Sequence, residues 1–366
     1  MLIREIIAPL EKFAPPALQE DYDNTGLICG NSSWECSGVL LCLDSTEDVI
    51  SEAKEKNCNL VIAHHPIVFR GLKKITGKNY VEQTIINAIK NDVAIYAIHT
   101  NLDNVIGGVS GKMADKLGLI NRSILAPKTN LLRKLSVFVP VDYQQTLMDA
   151  LFTAGAGAIG DYSDCSFSTT GNGTFKAGPG TNPFIGKINE RHTEQEVRVE
   201  VIFPHWQEAG IIRAMKANHP YEVVAHDIYA LTNLFQETGA GIIGELSESQ
   251  PAEQFLQTLK NTFNIPVIKH SRMLNTAIRK VALCGGAGNF LTGAAIGAGA
   301  DIYITADLKY HEFFDADGKL LLADIGHYES EQFSIDLLFD ILSNKFPNFA
   351  VLKTGVHTNP VQYFKG

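Results

Sequence analysis

The 366-residue chain is short of charge, of paired cysteines and of long apolar runs. No apolar stretch reaches the ~18 residues that a membrane-spanning helix needs. The N-terminal "MLIREIIAPLEKFAPP" has no basic segment followed by an apolar core and a small-residue cleavage site. None of the six cysteines (Cys29, Cys36, Cys42, Cys58, Cys165 and Cys284) forms a CxxC pair, which leaves them as small buried hydrophobes. Together these absences predict a soluble protein of the reducing cytoplasm, with no membrane partner. Basic residues are outnumbered: 31 Lys and Arg face 40 Asp and Glu, a net charge of −9. Such a balance disfavours nucleic acid as a partner by bulk electrostatics. Charged residues are only 19% of the chain, below the usual quarter, so part of the surface is expected to be covered by neighbouring subunits.

What is present is enough apolar material for a full core, 45%, in a length that suits two or three domains. Residues 1–20 carry apolar positions Leu2, Ile3, Ile6, Ile7 and Leu10 at helical spacing. "GVLLCLDST" (38–46), "NLVIAHHP" (59–66) and "VAIYAIHTNLDN" (93–104) read as buried strands ending in polar residues. Strands alternating with helical stretches predict an α/β domain with a mostly parallel sheet. The order changes in the middle. From about 128 to 236 the pattern is β-α-β…β-α-β, the order of a ferredoxin-like α+β module. After it, "KVALCGGAGNFLTGAAIGAGADIYITADLKYHEFF" (280–314) and "KLLLADIGHYESEQFSIDLLFDIL" (319–342) return to the first style. The expected organisation is an α/β domain in two parts, 1–127 and 237–366, split by an insert at 128–236.

In open α/β sheets the chemistry collects at the carboxyl ends of the strands. His64, His65, His99 and Asp103 all fall at or just past such ends. "DIGHYESE" adds His327 and Glu331 four residues apart, on one face of a helix. Taken singly these are ordinary features: a histidine pair bonded to backbone, a surface helix pair, a turn or cap aspartate. Together His64, His65, Asp103, His327 and Glu331 are too many ligands for one open catalytic ion and suit two. His99 and His311 are candidates for orienting the ligands or for acid–base catalysis. Lys309 and Arg70 are candidates for attracting an anion, with solvated surface charge as the alternative. "CGGAGN" matches neither the Walker pattern nor GxGxxG; it suits tight strand–helix packing or a phosphate cradle. "GNGTFKAGPGTNPFIG" (171–186) is a long loop rich in glycine and proline.

In order, "DNTGLICG", "AHHP", "HTNLD", "CGGAG", "ADLKYHE" and "DIGHYESE" resemble the family of GTP cyclohydrolase 1 type 2 homologues, or Nif-three-like proteins. The resemblance covers roughly 1–126 and 238–366, and the middle is similar to the PII-like or CutA-like insert of the longer members. It implies a dinuclear metal site whose ligands fall on His64, His65, Asp103, His327 and Glu331. Zn, Fe, Mn or Co would suit such ligands. It also implies a ring-like homo-oligomer, a hexamer, and a hydrolase acting on GTP, another nucleotide or a phosphoester. A metal-loaded regulatory or scaffold protein, whose insert senses a ligand or partner, is the competing expectation. One departure is Ala306, where the family pattern has glycine; it matters only if the backbone there needs positive φ.

Overall fold

A computed structural model describes residues 1–274 and 277–364. The chain forms two compact units: Met1–Pro127 with Glu237–Gly366, and Lys128–Gln236.

The first unit holds two sheets rather than the single one expected. In the first, the strand order is Gly26–Cys29, Ala94–Ala97, Leu60–His65, Val39–Asp44, Val351–Lys353. All neighbours run parallel except Gly26–Cys29, which closes one edge antiparallel. The interior strands are apolar up to their carboxyl ends because both faces are covered. Leu41, Ile62 and Tyr96 pack against helices Ile3–Phe13 and Ser334–Lys345. Leu40, Val61 and Ile95 face helices Glu47–Glu55 and Tyr80–Lys90. The first helix is shorter than the periodicity suggested. It stops at Phe13, and a 3₁₀ turn over Pro16–Leu18 follows. Pro15 and Pro16 cannot donate the next helical hydrogen bonds, and each disfavours helical backbone in the residue before it.

The second sheet runs Lys269–His270, Leu321–Asp324, Ile302–Ala306, Ala277–Ala287, Phe235–Pro251, Ile120–Lys128. Its three middle strands, from Leu321–Asp324 to Ala277–Ala287, are parallel. Helix Ala252–Thr262 covers one face through Phe255 and Leu259. "CGGAG" lies at the end of Ala277–Ala287, where its N–H groups are already committed. Gly286 donates to Ser330 Oγ and Gly288 to Thr305 Oγ1, each at 2.9 Å. That is the geometry of packing, not of an open phosphate cradle. Ala306 has ordinary strand backbone; the left-handed residue is its neighbour Asp307, at φ 57°.

The second unit is an antiparallel sheet in the order Ser166–Lys176, Arg191–Pro204, Leu132–Pro140, His226–Leu231. Helices Gln144–Thr153 and Glu208–Ala217 cover one face. Leu147, Leu151, Ile211 and Met215 meet Val137, Val197, Val199 and Val201 there.

Candidate metal centre

Strand Leu60–His65 lies in the middle of the first sheet, and its last two residues are His64 and His65. Adjacent strand residues normally point to opposite faces. Here Pro66 follows at once and both rings enter one pocket, with centroids 4.9 Å apart. Register supplies their partners. Asp44 is directly across from His65 on the neighbouring strand. The His65 Nδ1–H donates to Asp44 Oδ1 at 2.8 Å. On the other side the chain leaves strand Ala94–Ala97 through Ile98, whose carbonyl accepts from His64 Nδ1 at 2.9 Å. A carbonyl only accepts, so Nδ1 carries a proton, and in the neutral ring Nε2 is the atom with the lone pair.

From the far end of the chain, helix His327–Glu331 brings its two ends to the same place. Glu331 Oε2 lies 2.8 Å from His65 Nε2 and 3.0 Å from His327 Nε2. Its Oε1 is 3.9 Å from His64 Nε2. His327 Nδ1 donates to Asp307 Oδ2 at 2.7 Å. Asp103 ends the short helix Thr100–Asp103, and its Oδ1 sits 3.6 Å from His64 Nε2. Gly286 makes room for Glu331: a Cβ there would lie 2.3 Å from Glu331 Oε1.

The electrostatics show what the pocket wants. His64 Nε2 and Asp103 Oδ1 are both buried without a hydrogen-bond partner. A lone pair facing carboxylate oxygens is repulsive unless a positive charge stands between them. Burial, then the nearby charge of Glu331, pushes the Asp103 carboxyl well above the ordinary range. Burial disfavours charge on His65, but hydrogen bonds to Asp44 and Glu331 outweigh it and raise its pKa to about 10. His327 is raised to about 11 in the same way: Asp307 and Glu331 outweigh burial. Burial also opposes ionisation of Glu331, yet hydrogen bonds from His327 and His65 hold it well below the usual carboxylate range. The chain alone therefore retains protons where a cation would serve better, and the orphaned nitrogen and oxygen fit one. Two sets of donor atoms each lie within 4.8 Å of one another: His64, His65 and His99, and His65, His327 and Glu331.

The structure thus gathers His64, His65, Asp103, His327 and Glu331. His99 is also present, with its ring 5.3 Å from both His64 and His65. Its Nδ1 donates to Asp23 Oδ1 at 2.8 Å. Burial opposes the charge on Asp23, but bonds from His99 and Thr100 lower its pKa to about 2. His311 is not gathered. It is exposed on the 3₁₀ segment Tyr310–Ala316, beside the rings of Tyr310 and Phe314. Among the described residues no hydrogen bond or ion pair joins it to the cluster. Lys309 and Arg70 are exposed. The groups that orient the rings are Asp44, Asp307 and the Ile98 carbonyl, none of which the sequence singled out. The available signal was position: Asp44 ends the strand run "VLLCLD", and Asp307 follows "IYITA". The cluster opens on a cavity of about 370 Å³ lined by Asp44, His65, Asp307 and His327.

Comparison with known proteins agrees on one family. Residues 1–360 match the family model described as Duf34/NIF3 (NGG1p interacting factor 3). A protein of Halalkalibacterium halodurans named GTP cyclohydrolase 1 type 2 homolog is 41% identical over 364 residues, 98% of either chain. A protein of Bacillus subtilis with the same name is 40% identical over 89% of this chain and 88% of its own. Among solved structures, a Bacillus cereus protein related to NIF3 superposes with a TM-score of 0.87 at 37% identity. That match covers 100% of this chain and 99% of the other.

Proposed function

Because the chain belongs to the Duf34/NIF3 family, we propose that it is a dinuclear metal-dependent hydrolase of the cytoplasm. Its two divalent ions, Zn, Fe, Mn or Co, would be held by His64, His65, Asp103, His327 and Glu331. The observation that carries the reading is the orphaned pair, His64 Nε2 and Asp103 Oδ1, buried 3.6 Å apart beside Glu331. The count of five ligand side chains, too many for one open catalytic ion, supports two ions rather than one. Such ions supply Lewis acidity toward a carbonyl or phosphoryl oxygen. The chain's own residues do the rest. Asp44 and Asp307 fix the ring orientations of His65 and His327. His99, held by Asp23, is placed to exchange a proton at the edge of the pair. The cavity beside His65 and His327 gives a substrate access.

The substrate class we propose is a nucleotide or phosphoester, with GTP first because relatives are named GTP cyclohydrolase 1 type 2 homolog. The unit 128–236 is read as a ferredoxin-like, PII-like or CutA-like insert on its strand order. A homohexamer is proposed for the assembly. The low charged fraction supports it, as do the exposed aromatic side chains of Phe290, Tyr310 and Phe314. Elemental analysis of untagged protein should give two ions per chain, and a screen of nucleotides and phosphoesters should find metal-dependent turnover. One ion or none after growth with added metal overturns the dinuclear reading. Two ions without turnover overturns the hydrolase reading alone.

A further inference from the structure

The second unit contains a chemically distinct cavity. Its helices cover one face of the sheet; of the stretch read as a loop over 171–186, residues 171–176 belong instead to strand Ser166–Lys176, and the remaining loop lines the cavity. Side chains alternate along a strand, so Glu196 points away from the helix-packed Val197 and Val199. Phe138, Glu196, the loop residues up to Ile185 and the segment Tyr221–Val223 enclose about 450 Å³, within the range of small-molecule sites. The loop is anchored: the backbone N–H of Asn182 donates to both carboxylate oxygens of Glu222, each at 3.2 Å.

Three rings stand around this space. Phe175 and Phe184 each lie 6.2 Å from Tyr221, tilted by 56° and 45°. Tilted rings of this kind present several faces to one volume rather than stacking shut. The Tyr221 hydroxyl is buried with no partner at hydrogen-bonding geometry, although Glu196 is close by. Gly173 explains how the carboxylate fits, since a Cβ there would come within 2.0 Å of Glu196 Oε2. On the same sheet face, Arg198 is engaged by Ser136 and Glu200. The charged side chains that line the cavity are Glu196, Glu222 and the exposed Lys176, a net negative lining.

We propose that this cavity binds a small organic cation carrying N–H donors, a guanidinium or alkylammonium, between the Phe175, Phe184 and Tyr221 rings and the Glu196 carboxylate. Aromatic faces attract cations, most strongly where water is excluded. The carboxylate and the free hydroxyl oxygen are acceptors, so the complementary head group donates. An anionic ligand would meet two carboxylates, and a neutral apolar one would give the half-buried Glu196 charge no counter-charge. This site is separate from the histidine cluster and does not depend on its metal.

The test is calorimetric titration of the full-length, metal-loaded protein at physiological salt with agmatine, which has a guanidinium and an ammonium. Choline, a cation without N–H donors, and 3,3-dimethylbutanol, its uncharged isostere, are the comparisons. The expected order is agmatine, then choline, with no heat from the alcohol. Glu196→Gln keeps the shape and should weaken agmatine by at least about tenfold, the scale of one hydrogen bond to a charged group. Phe184→Ala removes a half-exposed ring, 51% accessible, so the fold should survive while both cations weaken. Absence of agmatine binding at millimolar concentration overturns the proposal. So does equal binding by wild type and both variants, or choline binding as tightly as agmatine.

Discussion

Glu331 is the side chain on which the cluster turns, because its two oxygens reach His64, His65 and His327 at once. Glu331→Gln keeps the size and removes the charge that, in the proposed site, would hold two cations together against their mutual repulsion. We expect loss of at least one ion and of any hydrolytic activity, read by elemental analysis beside the exposed control Glu55→Gln. Glu329 is no such control, although helical phase places it away from His327 and Glu331. It is buried and accepts from Asn359 Nδ2 at 3.0 Å. Asp44→Asn should weaken metal affinity by about 10–100-fold with the fold intact, as removal of a ligand's orienting carboxylate does. Unchanged affinity in a competition titration with a chromogenic chelator would show that His65 needs no anchor. Gly286→Ala should be harsher than its one methyl suggests. The new Cβ meets Glu331 Oε1, and the φ of +64° is one that side chains resist.

The elements around the insertion point carry a second expectation. Ile120–Lys128 and Phe235–Pro251 are neighbours in one sheet, and Gly239 approaches so closely that a Cβ would touch Ala126 O at 2.1 Å. The two ends of the first unit therefore lie side by side. Replacing 128–236 with a short turn should leave a folded protein that still binds metal, checked by circular dichroism and elemental analysis. An unfolded or metal-free product would show that the first unit needs the second. Much of this level was legible in the chain. All-apolar runs such as "VLLCLD" and "NLVIAHHP" announce buried parallel strands, and function gathers at their ends. That His64 and His65 meet residues from the far end followed from that rule. The existence of two sheets did not. A short run apolar on both faces fits any buried strand position and says nothing of which neighbours it joins. The carboxylate anchors were hidden for a related reason: an aspartate after a strand serves equally as a cap or turn, and only register shows that Asp44 faces His65. His311 misled because a histidine in "LKYHEFF" has no periodicity to place it inside or outside.

For the molecule as a whole, ions bound only by the folded state should hold it together by mass action. At a thousandfold excess over Kd one site contributes about 4 kcal/mol. For a unit of this size that is about 8–16 °C in Tm. Chelation should lower the transition of the unit that contains the cluster and leave the other where it was, which scanning calorimetry of the intact chain resolves. Equal shifts in both, or none, would contradict a site confined to the first unit. Light scattering after size exclusion should give the mass of six chains; a monomer at micromolar concentration would sink the hexamer. The strand order of the first sheet also has a bearing on biosynthesis. Its outer strand, Val351–Lys353, pairs with Val39–Asp44 from the opposite end of the chain. Glu331 lies 266 residues downstream of His65. At about 5–20 residues per second, a ribosome exposes the histidines roughly 13–53 s before their carboxylate emerges. For about the last third of that interval the insert has every residue it needs, while the first sheet is missing an edge and the pocket an anion. On the proposed reading, metal loading would wait for release of the nearly finished chain, and nascent chains stalled before residue 331 are the species that would most need a chaperone.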